Sequence, residues 1–365
     1  MIDNEKTCQC LNCISGEFYD PADYYLDIPS LDDERERGVS GILNTRSDAS
    51  TIAACIESCI HSLDELVITY NCPLGKHLDN TLDILKEKKE KYPEKITLSE
   101  YHVEFDCTID QGERIGDHLY KTGIHTQANM HNLGMQRAKY SHYCRIDGDQ
   151  IYFPAYLKLV VDSIKSGGEL LDVMGKSIDH DSADLLPSYN LSMINIFPFE
   201  GTWYVPTEHT FRREPFSGNG DHVIHKINSK SLYATKTDLN NKFMGPDLLV
   251  PYERQKQKGA RQLMTNNWIG WMSFHCKHVA LYQRYNQFTE DNCYINHYRD
   301  NIFLPNKEHF EDIEVALTRN FEQFKGLQPE WILAIWERSW EQRSTMVDVT
   351  PLKEMDDMEF YPKAA

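Results

Sequence analysis

Apolar positions in the first half of the chain follow two different periods. Short apolar runs predict four strands, at 38–43, 66–70, 95–103 and 140–146. Apolar residues three and four positions apart predict four helices, at 50–62, 80–91, 122–138 and 154–165. Strands and helices that alternate at this spacing are typical of βαβ units. The pattern therefore predicts an α/β fold with a mostly parallel central sheet flanked by helices.

The remainder of the chain is less regular. A further strand is predicted at 171–175, and helical spacing recurs at 308–324 and 331–343. Between 189 and 285, Trp, Tyr, Asn and His are frequent and no clear order emerges. We predict four parts: an N-terminal extension over 1–37, two halves of one domain over 38–170 and 171–300, and a helical tail over 301–365.

Composition and charge limit the possible partners. With 365 residues, of which 41% are hydrophobic, the chain is long enough to bury a sizeable core. A formal net charge of −18 argues against nucleic-acid binding, because phosphate backbones require a basic surface. No run of about 18 apolar residues occurs, and the N-terminus lacks a signal-peptide pattern. We expect a cytoplasmic protein with at most peripheral association at the inner face of the membrane and leave its oligomeric state open.

Three of the ten cysteines lie close together near the N-terminus, at Cys8, Cys10 and Cys13. A structural zinc site usually combines Cys-x2-Cys pairs with a fourth ligand, and only Cys10 and Cys13 have this spacing. We therefore predict an irregular N-terminal segment here and no metal site.

The most informative motif is Asp147-Gly148-Asp149, which follows the predicted strand 140–146. In extended backbone, residues i and i+2 point to the same side, so both carboxylates could converge on one hard cation. A divalent ion held by few carboxylates usually completes its coordination with substrate phosphates, which favours a nucleoside diphosphate ligand. The alternative is that Asp-Gly-Asp forms an ordinary turn.

The motif and its surroundings resemble the core of family-2-like glycosyltransferases with the GT-A fold. The segments that carry this resemblance are Asn129–Ala138, Tyr140, Arg145–Asp149, Val39–Leu43, Ser47–Asp48, Ile56–Ser58 and Asp64–Ile68. The similarity covers about residues 38 to 165. It implies a Rossmann-like GT-A domain whose first half binds a nucleotide sugar and whose second half binds the acceptor.

A narrower resemblance is to bacterial lipooligosaccharide β-1,4-N-acetylgalactosaminyltransferases. It rests on Tyr70–Cys72 and on Gly220–Asp221 before an apolar strand. The chain departs from the wider family at Asn71, where an acidic residue is common, and at Ser47, where Asn is usual. Both departures leave the base and the sugar of the donor open.

The resemblance implies a divalent cation, Mn²⁺ or Mg²⁺, held by Asp147, Asp149 and a third ligand, His275. Residues implied to line the donor site are Thr45, Ser47, Asp48, Asn71, His131, Asn132, Asp147 and Gly148. Each has a structural alternative. Residues 45–48 could cap the next helix, Asn71 could shape a turn, 131 and 132 could pack a helix face, and His275 could be a buried histidine.

An inverting transferase also needs a carboxylate that takes a proton from the acceptor hydroxyl. Asp221 and Asp247 are the candidates for this catalytic base. The implied function is a metal-dependent hexosyl- or N-acetylhexosaminyltransferase. It would move a sugar, with inversion at the anomeric carbon, from a UDP-linked donor to a bacterial surface oligosaccharide or glycolipid. Two alternatives stay open: a sugar nucleotidyltransferase and a noncatalytic glycan-binding module on the same fold.

Overall fold

A computed structural model provides the structure of the protein. It describes residues 10–49, 51–106, 109, 112–115, 118–168, 170–171, 177–178, 186–195, 197–199, 202–206, 222–229, 232–238, 243–250, 264–275, 307 and 310–312. In these ranges no helix is long and apolar enough to cross a membrane.

The described helices and strands alternate through the first half and are mainly strands thereafter. The helices are α1 Leu11–Ser15, α2 Ile52–Cys59, α3 Thr81–Lys91, α4 Gln127–Arg137 and α5 Pro154–Ser166. The strands of the first half are β1 Glu36–Thr45, β2 Glu65–Asn71, β3 Ile96–Tyr101, β4 Glu113–Ile115, β5 His118–Lys121, β6 Tyr140–Asp147 and β7 Gln150–Tyr152. Those of the second half are β8 Leu170–Leu171, β9 Ser177–Ile178, β10 Leu186–Asn195, β11 Phe197–Phe199, β12 Thr202–Pro206, β13 His222–Lys226, β14 Leu232–Asp238, β15 Phe243–Val250, β16 Met264–His275 and β17 Phe310–Asp312.

The largest sheet has the strand order β3-β2-β1-β6-β13-β10-β16-β7. The first four strands are parallel to one another, as are β10 and β16. The contacts of β13 with its two neighbours, and of β7 with β16, are antiparallel. The predicted α/β fold with a mostly parallel central sheet is therefore confirmed.

Alternating side chains of the central strands build a core on each face of the sheet. Val39 and Leu43 of β1 face the apolar sides of α2, α3 and α5. Ile42 faces the other way, toward α4 and the N-terminal segment. Burial therefore extends along most of β1 and all of β2, which is typical of parallel strands covered by helices on both faces.

The N-terminal segment packs against the α4 face of the sheet. After α1, it forms short 3-10 turns at Pro21–Tyr24 and Pro29–Asp32. The ring centroids of Tyr24 and Tyr101 are 4.6 Å apart in an edge-on contact, and both rings are buried. The segment thus shares an apolar core with the central domain.

The elements predicted from periodicity in the first half are confirmed, with shifts at their ends. The sequence analysis missed β4, β5 and β7, which are only three or four residues long and too short to show a period. The helix predicted at 308–324 is wrong at 310–312, where the chain forms β17 and pairs with β12. Pairing with a neighbouring strand has overridden the local pattern there. The helix predicted at 331–343, and the rest of the predicted C-terminal helical tail beyond 312, lie outside the described residues.

Helix α4 approaches the sheet closely at Gly134. A Cβ atom at this position would lie 2.3 Å from the Cγ2 atom of Ile42. Replacing Gly134 with alanine should therefore destabilise the protein by about 1–3 kcal/mol through overpacking, although alanine has the higher helix propensity. Urea denaturation measures this difference, and a neutral or stabilised variant would contradict the packing described.

An ionic cluster joins α2 to α3. Glu57 accepts hydrogen bonds from Lys88 and Lys91 at 2.9 and 2.8 Å and from the hydroxyl of Tyr92 at 2.6 Å. Burial opposes ionisation of this carboxyl, but the three donors outweigh it and lower the pKa of Glu57 from 4.5 to about 2.

Because the folded-state pKa is depressed, this stabilisation is present above pH 4.5 and is lost as the pH falls toward about 2. Glu57→Gln should cost about 1 kcal/mol at pH 7, after allowance for solvent screening, and less at pH 3. Urea midpoints at the two pH values test this. A loss of equal size at both would show that the charge of Glu57 is not involved.

Candidate functional site

The predicted motif lies at the carboxyl edge of the parallel strands. Strand β6 ends at Asp147, a tight turn contains Gly148 and Asp149, and β7 begins at Gln150. The parallel register pairs Asn44 of β1 with Asp147 of β6, so the two strands end side by side. Ligands of open α/β sheets commonly bind beyond this edge.

The loop after β1 contacts the turn directly. A Cβ atom on Gly148 would lie 2.7 Å from Oδ2 of Asp48 and 3.1 Å from Cδ1 of Ile52. The hydroxyl of Thr45 donates to the same Asp48 oxygen at 2.7 Å. The backbone N–H of Asp48 donates to the hydroxyl of Thr81 at 3.0 Å. The absence of a side chain at Gly148 therefore admits the Asp48 carboxylate, and the structure brings both predicted residues together.

Pairing of β7 with β16 brings His275 to the acidic turn. The antiparallel register places His275 opposite Gln150, next to Asp149. The His275 Nε2 atom is 3.4 Å from Oδ2 of Asp149, and the two side chains are 12% and 1% exposed. The hydroxyl of Ser273 donates to the side-chain oxygen of Gln150 at 3.0 Å and supports the register.

The Asp149–His275 pair fits a divalent cation. A carboxylate oxygen and an imidazole nitrogen are suitable ligands for Mn²⁺. Two ligands bound at right angles, each about 2.1 Å from a metal, are about 3 Å apart. The distance between Asp149 and His275 is close to this value, so a small adjustment would let both bind one ion.

Asp147 has a partner that the sequence analysis did not consider. Nε and a terminal nitrogen of Arg145 donate to the two oxygens of Asp147, both at 3.1 Å. Burial disfavours the charged guanidinium, yet the Asp147 carboxylate outweighs this and raises the pKa of Arg145. Such a bidentate contact fixes the orientation of Asp147 and leaves further lone pairs on its oxygens.

Among the described residues, two groups bring three metal-ligating atoms within 4.8 Å of one another, and neither includes Asp147, Asp149 or His275. The three predicted ligands therefore do not form one compact set. The fit to a cation rests on Asp149 and His275, with Asp147 held beside them by Arg145.

Polar atoms at the end of β1 are buried without hydrogen-bond partners in the described part of the chain. These are both amide atoms of the Asn44 side chain and the hydroxyl oxygen of Ser47. Buried polar groups normally have a partner, so this arrangement calls for an explanation. A polar ligand bound beyond β1 would provide the missing hydrogen bonds.

The hydrogen bonds of Asn71 support its shaping of a turn, which was the structural alternative to binding the donor. Its side-chain amide donates to the backbone oxygens of Tyr101 and Val103, at 3.0 and 3.1 Å. These bonds hold the end of β2 against the segment that follows β3. The side-chain oxygen of Asn71 has no hydrogen-bond partner among the described residues and stays available to a ligand.

His131 and Asn132 are buried where α4 contacts β14, which supports their packing alternative. The ring of His131 stacks on Tyr233 with centroids 4.5 Å apart, and its Nδ1 is 2.9 Å from the hydroxyl of Tyr143. The Asn132 side chain donates to the backbone oxygen of Tyr233 and accepts from its N–H, at 3.0 and 2.8 Å. Both residues fix β14 to the helix.

Of the two candidate bases, the described residues include Asp247. Asp221 lies outside the described residues. Asp247 is in β15, where its backbone is paired with Ala234 of β14. That strand belongs to a separate sheet with the order β15-β14-β5-β4.

Sequence reasoning missed Arg145 and Thr81 as parts of the site. Arg145 is two residues before Asp147 in a strand, so a same-face ion pair could have been predicted from the spacing. Thr81 reaches Asp48 only through folding, from the first turn of α3, and no local signal marks it.

No family model and no curated protein matches this chain. Solved structures similar to it include a mycobacterial protein, at 11% identity and a TM-score of 0.27, covering 52% of this chain and 53% of that one. Another is glucosyl-3-phosphoglycerate synthase from Mycobacterium tuberculosis in complex with Mn²⁺, UDP-glucose and phosphoglyceric acid. The identity is 10% and the TM-score 0.32, and the match covers 67% of this chain and 74% of that one. A third is the inositol-1-phosphate CTP transferase of T. maritima, at 9% identity and a TM-score of 0.25, covering 53% of this chain and 72% of that one.

The chain thus spans about half the length of the mycobacterial protein. At these identities and TM-scores, the likeness does not extend to ligands or activities. The ligands bound in those structures are therefore reported only for the proteins that bind them.

The contact between Gly148 and Asp48 gives a testable prediction. Gly148→Ala should destabilise the protein by about 1–3 kcal/mol, because the new Cβ would overlap the Asp48 carboxylate. In an Asp48→Ala background the same change should cost clearly less, since the overlapping atoms are gone. Urea denaturation of the four proteins in this double-mutant cycle measures the coupling. A coupling energy of zero would mean that the two residues do not touch.

Proposed function

We propose that this protein is a metal-dependent glycosyltransferase that transfers a sugar from a nucleotide donor, UDP-linked, to a glycan acceptor. The observation that carries the proposal is the Asp149–His275 pair at the carboxyl edge of the sheet. Buried polar atoms of Asn44 and Ser47, which have no hydrogen-bond partner among the described residues, lie at the end of β1. A cation site next to hydrogen-bonding groups suits a ligand that combines a diphosphate with a nucleoside.

In this proposal Asp149 and His275 hold Mn²⁺ or Mg²⁺, and Arg145 orients Asp147 beside them. When bound, the ion neutralises the negative charge that develops on the departing nucleotide diphosphate. The two hydrogen bonds from Arg145 hold Asp147 in place. The low exposure of Asp149 keeps water from competing strongly for its carboxylate.

The donor's nucleoside is assigned to the end of β1. Asn44 offers an amide donor and acceptor, and Ser47 offers a hydroxyl, which are suitable partners for base and ribose groups. Asp48, held by Thr45 and Thr81, supports the Gly148 turn from the same side. Asn71 contributes its side-chain oxygen from the adjacent strand β2.

Transfer requires a base for the acceptor hydroxyl, and Asp221 and Asp247 remain the candidates. Direct attack by that hydroxyl on the anomeric carbon inverts its configuration. The acceptor is proposed to be a bacterial surface oligosaccharide or glycolipid, an assignment supported by the sequence resemblance alone. The same holds for transfer of a hexosyl or N-acetylhexosaminyl group.

Two other functions use the same fold differently. A sugar nucleotidyltransferase would release pyrophosphate from a nucleoside triphosphate and a sugar phosphate. The loop after β1, Asn44-Thr45-Arg46-Ser47, lacks the glycines that usually surround a triphosphate. A glycan-binding module would bind sugars without turnover and without need of Asp149.

A donor panel tests the proposal. Purified protein with Mn²⁺ should release free nucleotide from one nucleotide sugar, through transfer or slow hydrolysis. Asp149→Ala should lower this rate at least 100-fold, which corresponds to about 2.7 kcal/mol, because the buried ligand of the cation is lost. A matched control is Asp162→Asn, which changes an exposed carboxylate paired with Lys158 far along α5.

Three results would contradict the proposal. Full turnover by Asp149→Ala would remove the proposed metal ligand. Pyrophosphate release from a nucleoside triphosphate and a sugar phosphate would favour the nucleotidyltransferase. Tight glycan binding with no turnover of any donor, and no effect of Asp149→Ala on that binding, would favour the binding module.

A further inference from the structure

A second cluster of metal-ligating side chains lies away from the acidic turn, where the N-terminal segment meets the start of α4. Cys10, Cys13 and His125 each direct one ligand atom to a common point, with these atoms all within 4.8 Å of one another. Cys10 is the N-cap of α1, Cys13 lies within that helix, and both are thiols. His125 is more than 100 residues away in sequence and immediately precedes the N-cap of α4.

The spacing of these atoms matches a tetrahedral zinc site. The Nε2 atom of His125 is 3.6 Å from Sγ of Cys10 and 3.5 Å from Sγ of Cys13. With bonds of about 2.3 Å to sulfur and about 2.0–2.1 Å to nitrogen, a sulfur and a nitrogen that bind one tetrahedral zinc ion are about 3.5–3.6 Å apart. Both sulfur–nitrogen distances therefore already match the separation that zinc imposes.

The surroundings orient each ligand for metal binding. The Nδ1 atom of His125 is 2.8 Å from the backbone oxygen of Glu104, so Nδ1 carries the proton and Nε2 presents its lone pair to the sulfurs. The backbone N–H of Cys13 donates to Sγ of Cys10 at 3.5 Å. The hydroxyl of Tyr19 is 3.4 Å from Sγ of Cys13 and can donate to it. Such donors stabilise thiolates, the form in which cysteine binds metals.

We propose that Cys10, Cys13 and His125 form a structural zinc site that fastens the N-terminal segment to the start of α4. A fourth ligand completes such a site. Cys8 lies outside the described residues, and no role is assigned to it. The prediction of no metal here considered only ligands close together in sequence. It could not include His125, which folding brings to the pair.

The ion would close a loop of more than 100 residues between Cys13 and His125. Closing a long loop removes conformational freedom from the unfolded chain and stabilises the folded one. The buried rings of Tyr19 and Tyr24 extend from this point across the N-terminal segment. The site would hold this segment in place. It is independent of the Asp149–His275 pair.

Metal analysis of the purified protein tests the proposal. The wild type should contain about one zinc per chain, and Cys13→Ser should contain almost none. His125→Asn should also lose zinc, because Asn can keep the hydrogen bond to Glu104 but has no counterpart of Nε2. Zinc retained in full by both variants would overturn the proposal.

Cys72→Ser and Asp149→Ala are the matched controls. Cys72 lies with Glu100 and His102 in the other three-residue cluster of the described residues. Burial, together with Glu100, raises the pKa of the Cys72 thiol to about 12, which disfavours the thiolate needed for metal binding. Both variants should keep the zinc of the wild type. Loss of zinc from Cys72→Ser, with zinc kept in Cys13→Ser, would place the ion at the Cys72 cluster and refute the assignment.

Two measurements on the wild type avoid reliance on variants that fail to fold. Cobalt exchanged for zinc should give the intense visible absorption of a tetrahedral site and a thiolate charge-transfer band. Chelation should make Cys10 and Cys13 reactive to iodoacetamide and lower the melting temperature, and zinc but not Mn²⁺ should reverse both effects. A protein that holds no zinc and takes up no cobalt would contradict the proposal.

Discussion

The short antiparallel contact between β7 and β16 is the interaction on which the candidate site depends. Among the described residues, three residue pairs form it, and one of them places His275 opposite Gln150. This register brings the imidazole to 3.4 Å from the carboxylate of Asp149, across more than 100 residues of sequence. A shift by one residue would turn His275 to the other face of the sheet, because side chains alternate along a strand.

The rest of the site is arranged around this contact in a way that limits movement. Asp48 fills the space left by Gly148, and Arg145 holds Asp147 with two hydrogen bonds. Beneath them, stacked rings of His131 and Tyr233 join α4 to β14. The acidic turn therefore rests on a packed support, which is the usual requirement for precise positioning of a reacting group.

The sequence was informative where signals are local. The apolar runs of β1, β2 and β6, and the glycine between Asp147 and Asp149, predict the sheet and the place of the site. The sequence analysis placed Gly148 in the donor site, and the structure shows that its lack of a side chain leaves room for the carboxylate of Asp48. The contact of Thr81 with Asp48 and that of His125 with Cys10 and Cys13 join distant segments of the chain. Periodicity and spacing along the sequence do not predict such contacts.

Two metal sites of different chemistry are proposed in one chain. Oxygen and imidazole ligands near the acidic turn suit a hard, exchangeable ion that contacts phosphate. Two sulfurs and an imidazole near α1 suit zinc held permanently. This difference in ligand softness separates the proposed catalytic and structural roles, since thiolate ligands favour zinc over Mn²⁺.

The most direct measurement of the central claim is anomalous diffraction at the manganese absorption edge, from crystals grown with Mn²⁺ and UDP. The account predicts one strong peak bonded to Asp149 and His275, with the diphosphate on its open side and the nucleoside near Asn44 and Ser47. UDP bound elsewhere would contradict it. A manganese peak at another place, with Asp149 and His275 still in direct contact with each other, would also contradict it.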